Sequence, residues 1–384
     1  MGMAEGAPAP KAPTAKEVEE ARKGRLKTIS GLLETVVKEF GAGSMMVLGD
    51  TTVVGGNAIP TSSIALDMAL GVGGIPRGKL IEIYGPESSG KSTLTYAIIA
   101  QCQKHGGICA LIDAENSLDT EYATAVGVNV DELMVNQPDY GEQGLDIASR
   151  LCNSNAVSLI VVDSLAALIP KAEIEAESFE DQQPGLQARM MSKALRRLSG
   201  EAAKSGTTII FINQLREKIG VMFGSPETTP GGKAMKFYAA IRLDIRKIEP
   251  IKNGTDIIGN KVRVKTVKNK VAPPFREAVF TIIFGKGIDR EAGILEGAVT
   301  LDLVEKAGSW YAYQGQRVAQ GTDKATAWLR ENVSVCDQLE AKIKDSYAQL
   351  REKAKVAAET KAKAPAEKAA APAPAEAEKK DDKK

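Results

Sequence analysis

Short apolar runs recur through the middle of this chain, each followed by a stretch whose apolar positions fall three or four residues apart. Leu80–Tyr84, Ile108–Ile112, Leu159–Val162 and Thr208–Ile212 are almost continuously hydrophobic. That pattern predicts strands covered on both faces, as in a parallel sheet flanked by helices. Farther on, Ile241–Ile248, Lys261–Val267 and Ala278–Phe284 alternate more strictly, which predicts an antiparallel extension of the same sheet. The expected fold class is α/β with a mostly parallel central sheet. Upstream, Leu26, Ile29, Leu33, Val36, Val37 and Phe40 recur at helical spacing, and Met45–Leu48 reads as a short strand after Gly41-Ala42-Gly43. Downstream, Trp310–Tyr313 leads into Gly315 and two helical stretches. The pattern divides the chain into a disordered extension (1–24), a helix–strand arm (25–52), a core (53–289), a small C-terminal α/β module (290–348) and an Ala/Lys/Glu/Pro-rich tail (349–384).

Composition narrows the chemistry more than the fold. The net charge of +1 means that any nucleic-acid binding must come from local basic surfaces. Cys102, Cys109, Cys152 and Cys336 lack metal-type spacing, and no apolar signal core opens the chain, so a reduced cytoplasmic protein is expected. The one histidine, His105, makes imidazole acid–base chemistry improbable. No apolar run approaches the roughly 18 residues of a membrane span.

The segment Gly85-Pro86-Glu87-Ser88-Ser89-Gly90-Lys91-Ser92 fits G-x-x-x-x-G-K-[ST], the phosphate-binding loop of nucleotide hydrolases. A predicted strand stops at Gly85, and a predicted helix starts at Ser92 and runs on through Thr93, so the motif sits in the strand–loop–helix frame it needs. The glycines let backbone N–H groups approach phosphates, and the helix dipole adds positive potential there. Lys91 would reach the β- and γ-phosphates of ATP, and the Ser92 hydroxyl would ligate Mg²⁺. Asp163 ends the apolar strand Leu159–Val162, where a carboxylate beside such a loop helps hold Mg²⁺. Glu115, in Asp113-Ala114-Glu115, ends another strand. It could activate an attacking water, but taken alone it reads equally as a helix cap or part of a surface pair. Gln214 follows the strand Ile209–Asn213, where an amide can contact the γ-phosphate, but taken alone it reads better as a polar residue closing a strand.

From about residue 25 to 332 the chain resembles the RecA family of bacterial recombinases. The resemblance rests on Gly85–Ser92, Asp113-Ala114-Glu115, Pro170–Glu175, Gly185–Ser192, Phe211–Gln214, Gly220–Gly224, Pro226–Thr229, Lys236–Tyr238 and Val267–Lys270, in that order. It implies a DNA-dependent ATPase that forms helical homo-oligomeric filaments on single-stranded DNA, pairs it with double-stranded DNA, and serves repair and the response to DNA damage. A self-cleaving repressor of that response is an implied partner. The resemblance makes Glu115 the catalytic carboxylate and Gln214 the nucleotide sensor. It places Asp119 and Tyr122 beside adenine, and it has Lys268 and Lys270 reach a neighbouring subunit's ATP. It makes the 25–52 arm, Lys236 and Phe237 interface elements. It implies two DNA-binding loops, about 175–185 and 215–231, with Arg189, Lys193, Arg196, Arg216, Met222 and Phe223 on the DNA side. A ring-forming DNA motor on the same core and a non-hydrolysing filament scaffold are the rival readings. The chain departs from the family in its acidic first loop (176–184), in Asn116 for a common histidine, and in Phe284 for a usual tyrosine. Its tail also departs, with seven Lys against six Asp/Glu over 357–384.

Overall fold

The computed structural model describes residues 15–40, 58–176, 185–217 and 227–363. The predicted strand at 45–48 therefore lies outside the described residues, as do Met222, Phe223 and most of the acidic 176–184 segment. Helix α1 (Ala15–Phe40) belongs to a first unit, Met1–Asn57, separate from the rest of the chain.

The second unit opens with a small ribbon, β1 (Ala58–Ile59) paired with β2 (Ile75–Pro76), which brackets α2 (Ile64–Leu70). Ser63 starts α2 by accepting a bond from the Leu66 N–H, and Gly71 stops it at φ 78°. Strands and helices then alternate: β3 (Leu80–Gly85), α3 (Lys91–Lys104), β4 (Cys109–Asp113), α4 (Thr120–Val126), β5 (Met134–Asn136), α5 (Gly141–Asn153) and β6 (Leu159–Asp163). The short α6 (Lys171–Ile174), the long α7 (Leu186–Ser205) and β7 (Thr208–Gln214) follow. Next come a two-residue pair, β8 (Arg216–Glu217) with β9 (Glu227–Thr228), then α8 (Ala234–Tyr238), β10 (Ile241–Asn253), β11 (Asp256–Asn269), β12 (Glu277–Ile283) and β13 (Gly287–Ile288).

Nine of these strands make one sheet in the order β13-β12-β11-β10-β3-β7-β6-β4-β5. Every pair from β10 to β5 is parallel. The antiparallel extension thus begins one strand later than the alternation suggests. The chain returns through α8 and delivers β10 alongside β3 (Ile241 opposite Ile81), and only the turn at Gly254 (φ 62°) reverses it into β11. One face packs under α2, α3 and α4 through Leu66, Leu94, Ile98, Ile81 and Ile210. The other packs under α5, α7 and α8 through Leu145, Leu195, Ile160 and Phe211. Continuous apolar runs are the sequence's response to burial on both faces, where each enclosed Leu or Ile contributes roughly 1.5–3 kcal/mol.

The C-terminal module sets α9 (Arg290–Thr300), the three-stranded sheet β14 (Glu305–Ala307), β15 (Trp310–Tyr313) and β16 (Gln316–Gln320), α10 (Thr322–Glu331) and α11 (Val333–Lys363) around its own core. Ile64 of α2 belongs to that core, so α2 stitches the module to the central sheet.

Candidate nucleotide site and nucleic-acid interface

Gly85 ends β3 where a side chain has no room: a Cβ there would lie 2.2 Å from the Ile245 carbonyl oxygen on β10. The chain then turns through Ser88 (φ 54°) and Gly90 (φ 96°) into α3. Gly90 offers no side-chain cap, so the first N–H groups of α3 stay open toward the loop. Lys91 Nζ donates to the loop carbonyls of Gly85 (3.1 Å) and Pro86 (2.7 Å). Burial holds this ammonium below its usual range, against the opposing pull of Asp163 and Glu115.

At the foot of the loop, Ser92 Oγ lies 3.5 Å from Asp163 Oδ2. Asp163 is buried, and burial, followed by the charges of Glu115 and Asp113, pushes its carboxyl up to about 7. Asp113 accepts from the Ser117 and Leu118 N–H groups and from Gln137 Nε2, fixing the turn after β4. The Ala114 and Glu115 N–H groups bond to the Asp163 carbonyl, at 2.6 and 3.3 Å, which pins the Glu115 turn to the end of β6. The exposed Glu115 carboxylate accepts from Ser164 Oγ and from Gln214 Nε2, the latter at 2.8 Å. Three strand ends, 99 residues apart at their extremes, thereby meet at one carboxylate.

A cavity of about 260 Å³ opens beside the loop between residues 88–93, Tyr122, Asn260, Val262, Ile282 and Phe284. Two of its polar atoms, Ser89 Oγ and Asn260 Oδ1, are buried with no hydrogen-bond partner. A polyanion with a polar base edge fits that pattern, because an unmade bond at a buried donor or acceptor costs roughly 1–3 kcal/mol. Tyr122 is held by Thr93, with hydroxyls 2.7 Å apart, and lies edge-on to Tyr96. Asp119, the expected adenine-side carboxylate, caps α4 through the Tyr122 N–H at 2.9 Å. Among the described residues no cluster of three or more His, Cys, Asp or Glu side chains forms a metal cage. One hydroxyl and one carboxylate, Ser92 and Asp163, still fit Mg²⁺, which is commonly held by one or two protein groups plus phosphates.

The other expected residues lie away from the cavity. Arg189, Lys193 and Arg196 are exposed along α7, and Arg216 is exposed in β8. Lys268 Nζ donates to the Lys236 and Phe237 carbonyls at the end of α8, at 2.6 and 3.0 Å, while Lys270 is exposed. Phe237 stands 71% exposed beside them. The sequence reading missed Asn260, Ser164 and a buried pair, Glu82 with Arg242. A signal for the pair existed: Leu-Ile-Glu-Ile and Ile-Arg-Leu each set one charge inside an apolar strand.

Fold and site together define a phosphate-loop nucleotide-binding protein with a mostly parallel α/β core. Family models narrow the class: that of the RecA N-terminal domain matches residues 27–289, and that of the RecA C-terminal domain matches 292–348. A Protein RecA of Caldanaerobacter subterraneus subsp. tengcongensis is 54% identical over 331 residues, 86% of this chain and 96% of that protein. One from a Nocardioides species is 57% identical over 319 residues, covering 83% and 91%. A solved RadB recombinase structure aligns with a TM-score of 0.46 at 22% identity, over 60% of this chain and 98% of that one, too distant to add to the conclusion. The chain belongs to the RecA family, the recombinases of homologous recombination and DNA repair. No described helix is long and apolar enough to cross a membrane.

Proposed function

We propose that the chain is a DNA-dependent ATPase that polymerises on single-stranded DNA as a helical filament and catalyses homologous pairing and strand exchange. One observation carries the reading: Gln214 bonds Glu115 at 2.8 Å and is also the residue from which the chain enters 215–231, the expected DNA loop. A single amide thus links the hydrolytic carboxylate to the DNA-binding segment.

In this reading the open N–H groups of α3 and Lys91 neutralise the phosphates. Glu115 accepts a proton from the attacking water, a contribution of roughly 10²–10⁴-fold. Ser92 and Asp163 would hold Mg²⁺, which would supply Lewis-acid stabilisation of the phosphoryl group. With Mg²⁺ bound, Asp163 would lie well below about 7, because a divalent cation favours its ionised form. Gln214 keeps its bond to Glu115 or exchanges it for the γ-phosphate, and so reports the nucleotide to 215–231. Lys268 and Lys270, supplied by a neighbouring subunit, would act as trans cations worth on the order of 10³–10⁵-fold. For that, Lys268 must leave the α8 carbonyls that hold it here.

The test uses Glu115→Gln and Lys268→Ala proteins, alone and mixed, with ATP hydrolysis followed with and without single-stranded DNA and filaments followed by microscopy. The expected result is little turnover from either variant alone, with partial recovery in mixed filaments, where some interfaces pair an intact Glu115 with an intact Lys268. Mixed filaments that never recover turnover refute the trans site. Rings that translocate would favour a motor, and filaments that form and never hydrolyse would favour a scaffold.

A further inference from the structure

Behind the nucleotide site, a line of buried polar groups crosses three neighbouring strands, β7, β3 and β10, and ends beside Lys268 on β11. Asn213 on β7 is fully buried, and its Nδ2 donates to Glu82 Oε1 at 3.0 Å and to the Pro230 carbonyl at 3.3 Å. Its Oδ1 accepts from the Gln214 N–H at 3.0 Å. Gln214 is where the chain enters 215–231, and Pro230 is where it leaves. One side chain therefore ties both ends of that segment to Glu82.

Glu82 on β3 has no exposed surface, and its Oε2 accepts from Arg242 Nε at 2.5 Å. The Arg242 guanidinium lies over the Tyr84 ring, 4.7 Å from its centroid. Arg242 is 8% exposed and sits directly opposite Lys268 in the β10–β11 ladder. A carboxylate and a guanidinium enclosed this way are a poor source of stability, because desolvation offsets their attraction and an apolar pair serves packing as well. Their geometry fixes something else: the strand end bearing Gln214 and the strand end bearing Lys268 share one ionic clamp, which touches neither the phosphate loop nor the exposed arginines.

We propose that Glu82 and Arg242 are positioning residues that hold Gln214 and Lys268 in one mutual register, so that DNA-stimulated hydrolysis depends on an ion pair contacting neither nucleotide nor DNA. The proposal rests on the trans-site reading above. Loss of the pair frees Asn213 to let the ends of 215–231 separate. It also changes the charges that Lys268 meets, since Arg242 and Lys270 face it as cations and Glu82 as an anion.

Two variants test this in the full-length protein. Glu82→Leu combined with Arg242→Met replaces the pair with apolar side chains. Glu82→Gln keeps the volume and the acceptor toward Asn213 while removing the charge, and it carries the same criteria if the double variant does not fold. Each is measured for thermal midpoint, affinity for a fluorescent ATP analogue, and kcat and KM for ATP with saturating single-stranded DNA. The expected result is analogue affinity and KM close to the parent's, with DNA-stimulated kcat lowered roughly 2- to 30-fold, the span of mutations along a coupling network. Glu82→Gln, which leaves the acceptor toward Asn213 in place, should cost little further in the residual hydrolysis of a protein already carrying Lys268→Ala, since its effect then runs through that lysine alone. Additive losses, an unchanged DNA-stimulated kcat, or analogue affinity that falls in parallel with kcat would each overturn the relay. A parent protein whose hydrolysis ignores DNA would overturn the functional reading, and the relay with it, before any variant is compared.

Discussion

Asp67→Asn gives a test whose size follows from the structure. Asp67 sits on α2, where the central sheet meets the C-terminal module. Its Oδ1 accepts from the Thr61 N–H at 2.9 Å and from the Thr61 hydroxyl at 2.8 Å. Burial pushes its carboxyl up from 3.8 to about 7, against the two Thr61 bonds and Lys344, which lower it, while Glu340 adds to the rise. The folded protein therefore holds this proton more tightly than the unfolded chain does. The stability this provides is complete below the unfolded value near 4 and is lost as pH climbs through 7. At about 1.4 kcal/mol per pKa unit, a shift of some three units corresponds to about 4 kcal/mol in total, of which about 2–3 kcal/mol is lost between pH 5 and 8. That is an upper value, because the carboxyl lines a cavity of about 440 Å³ shared with Arg290, His105 and Lys344, which water can enter. Asparagine keeps the acceptor for Thr61 and cannot ionise. In urea unfolding at pH 5, 6, 7 and 8, the stability of Asp67→Asn relative to the parent should rise by about 2–3 kcal/mol across the series. A difference that stays flat with pH would show that Asp67 is ionised in the folded state at all four values, and the argument from burial would fail.

Two further outcomes follow from other parts of the chain. Gly85→Ala would force a Cβ to within 2.2 Å of a backbone oxygen on β10, so its thermal midpoint should fall by an amount equivalent to about 1–3 kcal/mol, with weaker binding of an ATP analogue; a parental midpoint would contradict the close approach. Deleting 361–384 should leave ATP hydrolysis nearly unchanged and alter DNA affinity weakly, since that near-neutral stretch has too few apolar residues to build a core. Each lost phosphate contact on single-stranded DNA should change the log–log salt slope by about 0.7, and a large gain in duplex binding would instead reveal an inhibitory tail.

The sequence by itself determined whatever is encoded between near neighbours. The phosphate loop is eight consecutive residues whose glycines, lysine and serine act where they stand, so Gly85–Ser92 was legible at once. Continuous apolar runs announced strands buried on both faces, and the later alternation announced the sheet's extension. Periodicity carries no strand order, however, because order depends on which apolar faces find each other across the whole chain. Only the tertiary structure set β10 parallel to β3, put β7 and β6 between the phosphate-loop strand and the strand bearing Glu115, and brought Gln214 to that carboxylate. Asp119 and Glu115 show the limit at the level of single residues. Both follow β4, and neither has a role fixed by its local sequence; the fold made Asp119 the cap of α4 and turned Glu115 toward Ser164 and Gln214. Glu82 and Arg242 lie 160 residues apart and look like misplaced charges in apolar strands. They become a pair only when β3 and β10 lie side by side, because the energy of a buried charge is decided by its neighbours in space, which local spacing does not specify.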